Sequence, residues 1–393
     1  MKKLYGPVML AALIALSFSL SESAQPGGYL ETDLVVNKEV NSVPTLVDSR
    51  GVKHIAQFFD ANLVNPWGIT ESATSPFWIS DNGAGMSTLY NTAGSPQALA
   101  VSIPSPANPL GNMGTPTGVA FNIVPPAQGA FTLSGVNSAG KPFSAPAVFL
   151  FATEDGTILG WNPGVNPAGF DPSKAGKYAI IVVNNSPGAV YKGLAIATDI
   201  NGTTRLYAAN FRSGNVDVFD TSFHQIFSVS AFTDPNLPRG YAPFNVVPIT
   251  VKGASQLFVT YAVQDSEKHD DVAGESHGIV NTFLLDGSMP RRFAQHGQLN
   301  SPWGIALAPA GFGTLGGGLW IGNFGNGHID AYDPTTGEFI GKVSDAHGQA
   351  LVIDGLWSIK FGNGGNGGSA NTLYFTAGTN GEQDGLFGSI TPK

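Results

Sequence analysis

A unit of four short strands recurs along this chain, and no other feature restricts its fold as tightly. One copy stands whole at Asn300–Lys342, NSPWGIALAPAGFGTLGGGLWIGNFGNGHIDAYDPTTGEFIGK. Ser301-Pro302-Trp303-Gly304 opens it and Ile305–Leu307 is a short apolar strand. A Gly-rich turn leads to Leu319–Gly322, the loop Asn323–Gly327 to His328–Tyr332, and the turn Asp333–Gly337 to a last strand near Glu338–Val343. Short strands broken by turn residues read as an antiparallel meander. One meander cannot bury its own apolar faces, so such a unit requires copies of itself.

The copies are present. Their opening strands follow Asn65-Pro66-Trp67-Gly68, Thr115-Pro116-Thr117-Gly118, Val190-Tyr191-Lys192-Gly193, Ala242-Pro243-Phe244-Asn245, Ser301–Gly304 and Asp354-Gly355-Leu356-Trp357. Counted from Gly68, Gly118, Gly193, Asn245, Gly304 and Trp357, the spacings are 50, 75, 52, 59 and 53 residues. Six units of about four strands predict an all-β fold, a six-bladed β-propeller of four-stranded antiparallel blades. The last unit reaches Lys393 with only three strands, so an N-terminal strand is expected to close the ring. Leu34–Asn37 and His54–Phe58 are the two candidates. The expected division is a signal peptide over 1–24, a leader over 25–59 and the propeller over 60–393. The inserts Asn122–Ala147 and Val263–Gly278 read as loops, and no helix is expected.

Composition supports this. Glycine (51) and proline (27) make up about a fifth of the chain, while 42% is hydrophobic and only 12% charged. That pairing suits turn-rich β structure and excludes disorder, which needs low hydrophobicity and high charge. A net charge of −9 with no Lys/Arg stripe argues against a nucleic-acid partner. The absence of cysteine excludes disulfides, thiolate nucleophiles and Cys-ligated metals. Lys2-Lys3 followed by the apolar run Val8–Leu20 predicts export to the periplasm or the outside of the cell. The run is too short to span a bilayer, so no transmembrane segment is expected in the mature chain.

The motifs LVNPWGI (Leu63–Ile69), FWISDNGAGMSTLYN (Phe77–Asn91), TPTGVAFN (Thr115–Asn122), ATEDGTILGWNP (Ala152–Pro163), YAANFRSGNVDVFD (Tyr207–Asp220) and QDSEKHDDVAG (Gln264–Gly274) together resemble an uncharacterised bacterial family of exported, NHL-like six-bladed propellers. Some members end in a sorting and anchoring signal, whereas this chain ends Gly388-Ser-Ile-Thr-Pro-Lys393 without one. The resemblance implies the fold and leaves the activity open.

Chemistry is expected where two rings of loops meet at one channel mouth. Trp67, Trp303 and Trp357 occupy equivalent entry positions and form either a platform for a flat ligand or packing between blades. Asn210 and Arg212 join them as candidate ligand-binding residues. Asp81, Glu154, Asp155, Asp265 and Asn323 recur at one strand end, where their oxygens could converge on a divalent cation such as calcium. Tight turns also demand Asp, Asn and Gly at such places. The loop Asp265–Asp271 packs four carboxylates and His269 into seven residues, making His269, Asp270 and Asp271 candidates for acid–base work or metal binding. Two function classes follow. One is a binding scaffold for a protein, glycan or small molecule; the other is a calcium-dependent hydrolase or lyase. No H-E-x-x-H or P-loop motif is present.

Overall fold

The computed structural model describes residues 27–228 and 230–393. The predicted signal peptide lies outside these residues. The described chain is all-β, arranged as a succession of antiparallel meanders in the manner of a β-propeller. Five sheets have four strands each, in simple up-and-down order. They start at Pro66–Thr70, Pro116–Phe121, Tyr191–Thr198, Tyr241–Val251 and Pro302–Leu307. A sixth starts at Leu356–Phe361 and continues through Leu373–Ala377 and Leu386–Pro392. The innermost strands lie side by side in chain order, and that of the sixth sheet also lies against that of the first.

The opening motif explains how those strands approach one another. In all six sheets the pairing register between the first two strands slips within this motif, between Pro66 and Ile69 in the first sheet and between Leu356 and Ile359 in the sixth. Such a bulge turns the strand edge toward its neighbour. Glycine then removes the side chain that would block contact. A Cβ on Gly68 would stand 2.6 Å from the Thr117 carbonyl oxygen, and one on Gly304 would stand 2.7 Å from that of Trp357. The fourth sheet carries Asn245 instead, whose Nδ2 donates to the Trp303 carbonyl at 2.9 Å. Thr376 makes the matching link from the sixth sheet to the first, donating to the Trp67 carbonyl at 2.5 Å.

The N-terminal strand Tyr29–Val36 pairs antiparallel with Leu386–Pro392 and supplies the sixth sheet's fourth strand, with Tyr29 opposite Pro392. Of the two expected closing segments, Leu34–Val36 therefore occupies this place. His54–Phe58 does not: His54 lies in a separate small sheet with Val43–Val47, and only the short strand Phe58–Phe59 adds alongside, in parallel. The seam between the sixth and first sheets is filled by Leu34, Val35, Phe77, Tyr90, Tyr374 and Phe387, all buried.

The insert 122–147, expected as a loop, contains a two-stranded hairpin, Thr132–Val136 with Pro142–Pro146. Leu133 anchors it in the core, completely buried, while its prolines sit where a ladder can spare a donor. Among the described residues helix is confined to four 3-residue 3-10 turns and the segment Thr379–Glu382, which contains left-handed residues Asn380 (φ 57°) and Gly381 (φ 63°) and is a tight turn rather than an α-helix.

Candidate functional site

The three tryptophans converge. Trp67 and Trp357 stack with ring centroids 3.4 Å apart, Trp303 stands edge-on to both at 6.0 Å, and Phe324 stacks on Trp357 at 3.9 Å. Trp67, Trp303 and Trp357 are each at most 4% exposed, so they plug the axis and offer no open platform. Phe324 is only half-buried and caps the column at the face where the strand-joining loops gather.

Polar groups from several sheets meet on this plug. Lys192, 1% exposed, sends its ammonium to Glu154 and, at 3.1 Å, to Asp270. The same ammonium lies 5.1 Å from the Trp67 ring centroid and 5.9 Å from that of Phe211, within cation–π range. Asp270 in turn pairs with His269 Nδ1 at 2.9 Å. On the other side of Glu154, Asn82 donates to its Oε2 at 2.8 Å. Asn65 Nδ2 donates to Asn82 Oδ1 at 3.3 Å and to Glu382 Oε2 at 2.7 Å, and its own Oδ1 accepts from Trp357 Nε1 at 3.0 Å. The result is a polar arc, His269–Asp270–Lys192–Glu154–Asn82–Asn65–Glu382, laid over aromatic rings.

Electrostatics orders these groups. Burial works against the Lys192 charge, but Glu154 and Asp270 outweigh it and hold the ammonium above its ordinary pKa. The His269 hydrogen bond, with help from Lys192, keeps Asp270 well below the usual carboxylate range, and the same bond raises His269. Glu382 behaves oppositely. The protein packed around it, reinforced by Glu154 and against the pull of Asn65, pushes its carboxyl up to about 7. Glu382 also stays open to solvent, and thus to a ligand.

The expected cation ligands do not gather at one point. Among the described residues, Glu154 alone of that set enters a cluster of three potential ligand groups, with His269 and Asp270. Asp81 is completely buried, its Oδ2 accepting from the Thr88 amide (3.0 Å) and hydroxyl (2.7 Å). Asp155 accepts from the Thr115 amide at 2.9 Å, and Asp265 from that of His269 at 2.8 Å. Asn323 joins the Asn300 amide (2.9 Å) to Asp330 (2.8 Å). These four shape turns and strand ends. The cluster that does form fits calcium poorly, because the buried Lys192 ammonium already occupies the place between Glu154 and Asp270.

Of the remaining candidates, Asn210 spends its side chain on Val190, Ser213 and Asp217. Arg212 donates to the Pro187 carbonyl at 2.9 Å. Asp271 lies outside the His269–Asp270–Glu154 cluster, its Oδ2 buried without a partner. Sequence reading passed over Asn65 and Glu382. Each stands at positive φ (47° and 68°), a conformation uncommon for either residue, but such geometry is not visible in sequence.

A β-propeller-type scaffold carrying a buried-lysine polar arc over an aromatic plug is thus the class that fold and site define. No protein-family model matches the chain. It is 32% identical over 353 residues to "Uncharacterized protein L690" of Acanthamoeba polyphaga mimivirus, covering 88% of this chain and 84% of that one. It is 30% identical over 341 residues to "Uncharacterized protein R648" of the same virus, covering 84% and 76%. The chain belongs to the family that includes these two proteins. These relatives are viral, whereas the motifs had pointed to a bacterial family. Among solved structures, streptogramin B lyase superposes with a TM-score of 0.50 at 11% identity, over 95% of this chain and 100% of that one. That likeness concerns the fold. Among the described residues, no helix is long and apolar enough to cross a membrane.

Proposed function

We propose that the chain is an exported six-bladed propeller, closed by the strand Tyr29–Val36, whose channel mouth binds a small hydroxyl-rich ligand such as a glycan. The observation that carries this reading is the arc around Lys192, to which the first, second, third, fourth and sixth sheets or their loops contribute. Neighbouring carboxylates and amides suit vicinal hydroxyls, which donate and accept at once. Phe324 offers an apolar edge beside them. A few fixed polar groups beside an apolar surface supply the orientation that ligand recognition requires. Six inner strands in cyclic contact support the blade count, and Lys2-Lys3 with Val8–Leu20 supports export.

Saturation-transfer NMR of the full chain against a panel of mono- and disaccharides tests the reading. A binder should appear, and Asn65→Ala and Glu382→Gln should each weaken it about tenfold, the loss of one or two hydrogen bonds to a charged group. Absence of any binder, or equal binding by both variants, overturns it.

A second reading, acid–base chemistry at the same mouth without a metal, is favoured by Glu382. A carboxyl pushed up to about 7 by the protein around it, near Asp270 whose carboxyl is held well below the usual range, is a division of labour that suits proton transfer. It also predicts a pH effect. Because the folded-state pKa of Glu382 is raised from 4.5 to about 7, the unfolded chain loses this proton first, so the group's contribution to stability falls as pH rises through that window. Solvent access keeps the effect small. Thermal unfolding between pH 4 and 8 should show a shallower decline for Glu382→Gln than for the wild type; parallel curves would contradict the elevated pKa.

A further inference from the structure

A second constellation lies away from the channel, where the leader meets the closing strand. Glu31 and Asp33, two residues apart, project from the same face of Tyr29–Val36. His54 approaches them from the short strand Lys53–Ile55. One potential ligand atom from each of Glu31, Asp33 and His54 lies within 4.8 Å of the other two.

The surroundings leave this group short of positive charge. His54, its side chain 5% exposed, sets Nδ1 3.1 Å from Asp33 Oδ1 and Nε2 3.5 Å from Asp48 Oδ2. Asp48 is held rigidly by the Arg50 guanidinium (2.6 and 2.9 Å) and by the amides of Arg50 (3.0 Å) and Val52 (2.8 Å). Arg50 is thereby spent on Asp48. Within the constellation Glu31 Oε1 is buried without a hydrogen-bond partner, while His54 Nε2 faces only the Asp48 carboxylate. Buried polar atoms in folded proteins nearly always have a partner, so such an orphan calls for an account.

We propose that Glu31, Asp33 and His54 form a binding site for a divalent transition-metal ion, zinc or manganese. Two carboxylates and an imidazole are a donor set both ions accept, with water completing the shell. Calcium, which takes six to eight oxygen ligands, suits an imidazole-bearing site poorly. Asp48, fixed behind the imidazole, is placed as the outer carboxylate that orients a metal-bound histidine. The ion would tie the leader's small sheet to the strand that completes the sixth sheet.

Titration calorimetry of the EDTA-treated full chain with zinc chloride, manganese chloride and calcium chloride in turn is the test. One equivalent of zinc or manganese should bind, calcium at least tenfold more weakly, and the bound ion should raise the unfolding temperature. Glu31→Gln and His54→Gln should each weaken binding tenfold or more, whereas Asp270→Asn, in the channel-mouth cluster, should leave it unchanged. Glu31→Gln carries the decision should His54→Gln fail to fold. No saturable binding of either metal overturns the proposal, as does undiminished binding by Glu31→Gln or loss of binding in Asp270→Asn alone. This result does not depend on whether the channel mouth binds a sugar.

Discussion

Lys192→Met should lower the unfolding free energy by about 3–5 kcal/mol, the cost of removing one partner from a buried ion pair. Lys192 and Glu154 have side chains only 2% and 10% exposed, so the carboxylate left behind has little water to turn to. Asn82 remains as its donor, and one amide does not replace an ammonium. Glu154→Gln should cost less. Lys192 then keeps Asp270, whose side chain is 66% exposed and tolerates charge without help, and it keeps the Trp67 ring. The double substitution Lys192→Met with Glu154→Gln should recover much of the loss, because it leaves no unpaired charge. Urea unfolding of the three variants checks this ordering. A Lys192→Met protein within about 1 kcal/mol of wild type would mean that the arc is a solvated surface network, with the smaller energies such networks carry.

Phe387→Ala should be comparably damaging, about 3–5 kcal/mol, the range for deleting a buried phenyl ring. Phe387 is completely buried, with ring centroids 5.6 Å from Phe77, 5.5 Å from Tyr90 and 6.1 Å from Tyr374. Phe77 and Tyr90 belong to the first sheet, Tyr374 to the sixth, and Leu34 and Val35 of the N-terminal strand share the cluster. The cavity would therefore open where the beginning and end of the chain meet. Hydrogen exchange should accelerate first in Tyr29–Val36, ahead of the third and fourth sheets. The exposed Phe339, replaced by alanine, should change stability by less than about 0.5 kcal/mol and serves as the control. Uniform acceleration throughout the molecule would show that the seam is no weaker than any other junction.

The fold was legible because each unit repeats the chemistry of its turns. An opening motif, complete as Pro-Trp-Gly at Pro66–Gly68 and Pro302–Gly304, recurs in varied form at spacings of 50 to 75 residues, and the bulged, close-packed inner strands follow from it. The site was not legible in the same way. It is built from residues that occur once, each in a different unit: Asn65, Glu154, Lys192, Asp270 and Glu382. Repetition drew attention to Asp81, Asp155 and Asn323, which recur because strand ends and turns need oxygen acceptors for backbone amides. The tryptophans recur for packing. Asp270 stood out because the insert Val263–Gly278 departs from the pattern, and its neighbour His269 came with it. Lys192 stood at an entry position without any sign that two acids from other sheets would close around it. Of the residues that suggested a bound cation, Glu154 alone stands beside this lysine. The Glu31–Asp33–His54 cluster, with its unpartnered Glu31 Oε1, lies in the leader, outside the repeats.

The pairing of Tyr29–Val36 with Leu386–Pro392 also determines how the molecule responds to force. Tyr29 faces Pro392, and the Lys393 amide donates to the Gly28 carbonyl at 2.9 Å, so Gly28 and Lys393 lie side by side. Tension applied between them loads the antiparallel bonds one after another, as a zip is drawn open, instead of shearing the row at once. Glu31 and Asp33 lie just behind the first of those bonds. An ion held there with His54 would act as a stop on the zip, so that the force needed to start peeling would depend on metal and the force needed to continue would not.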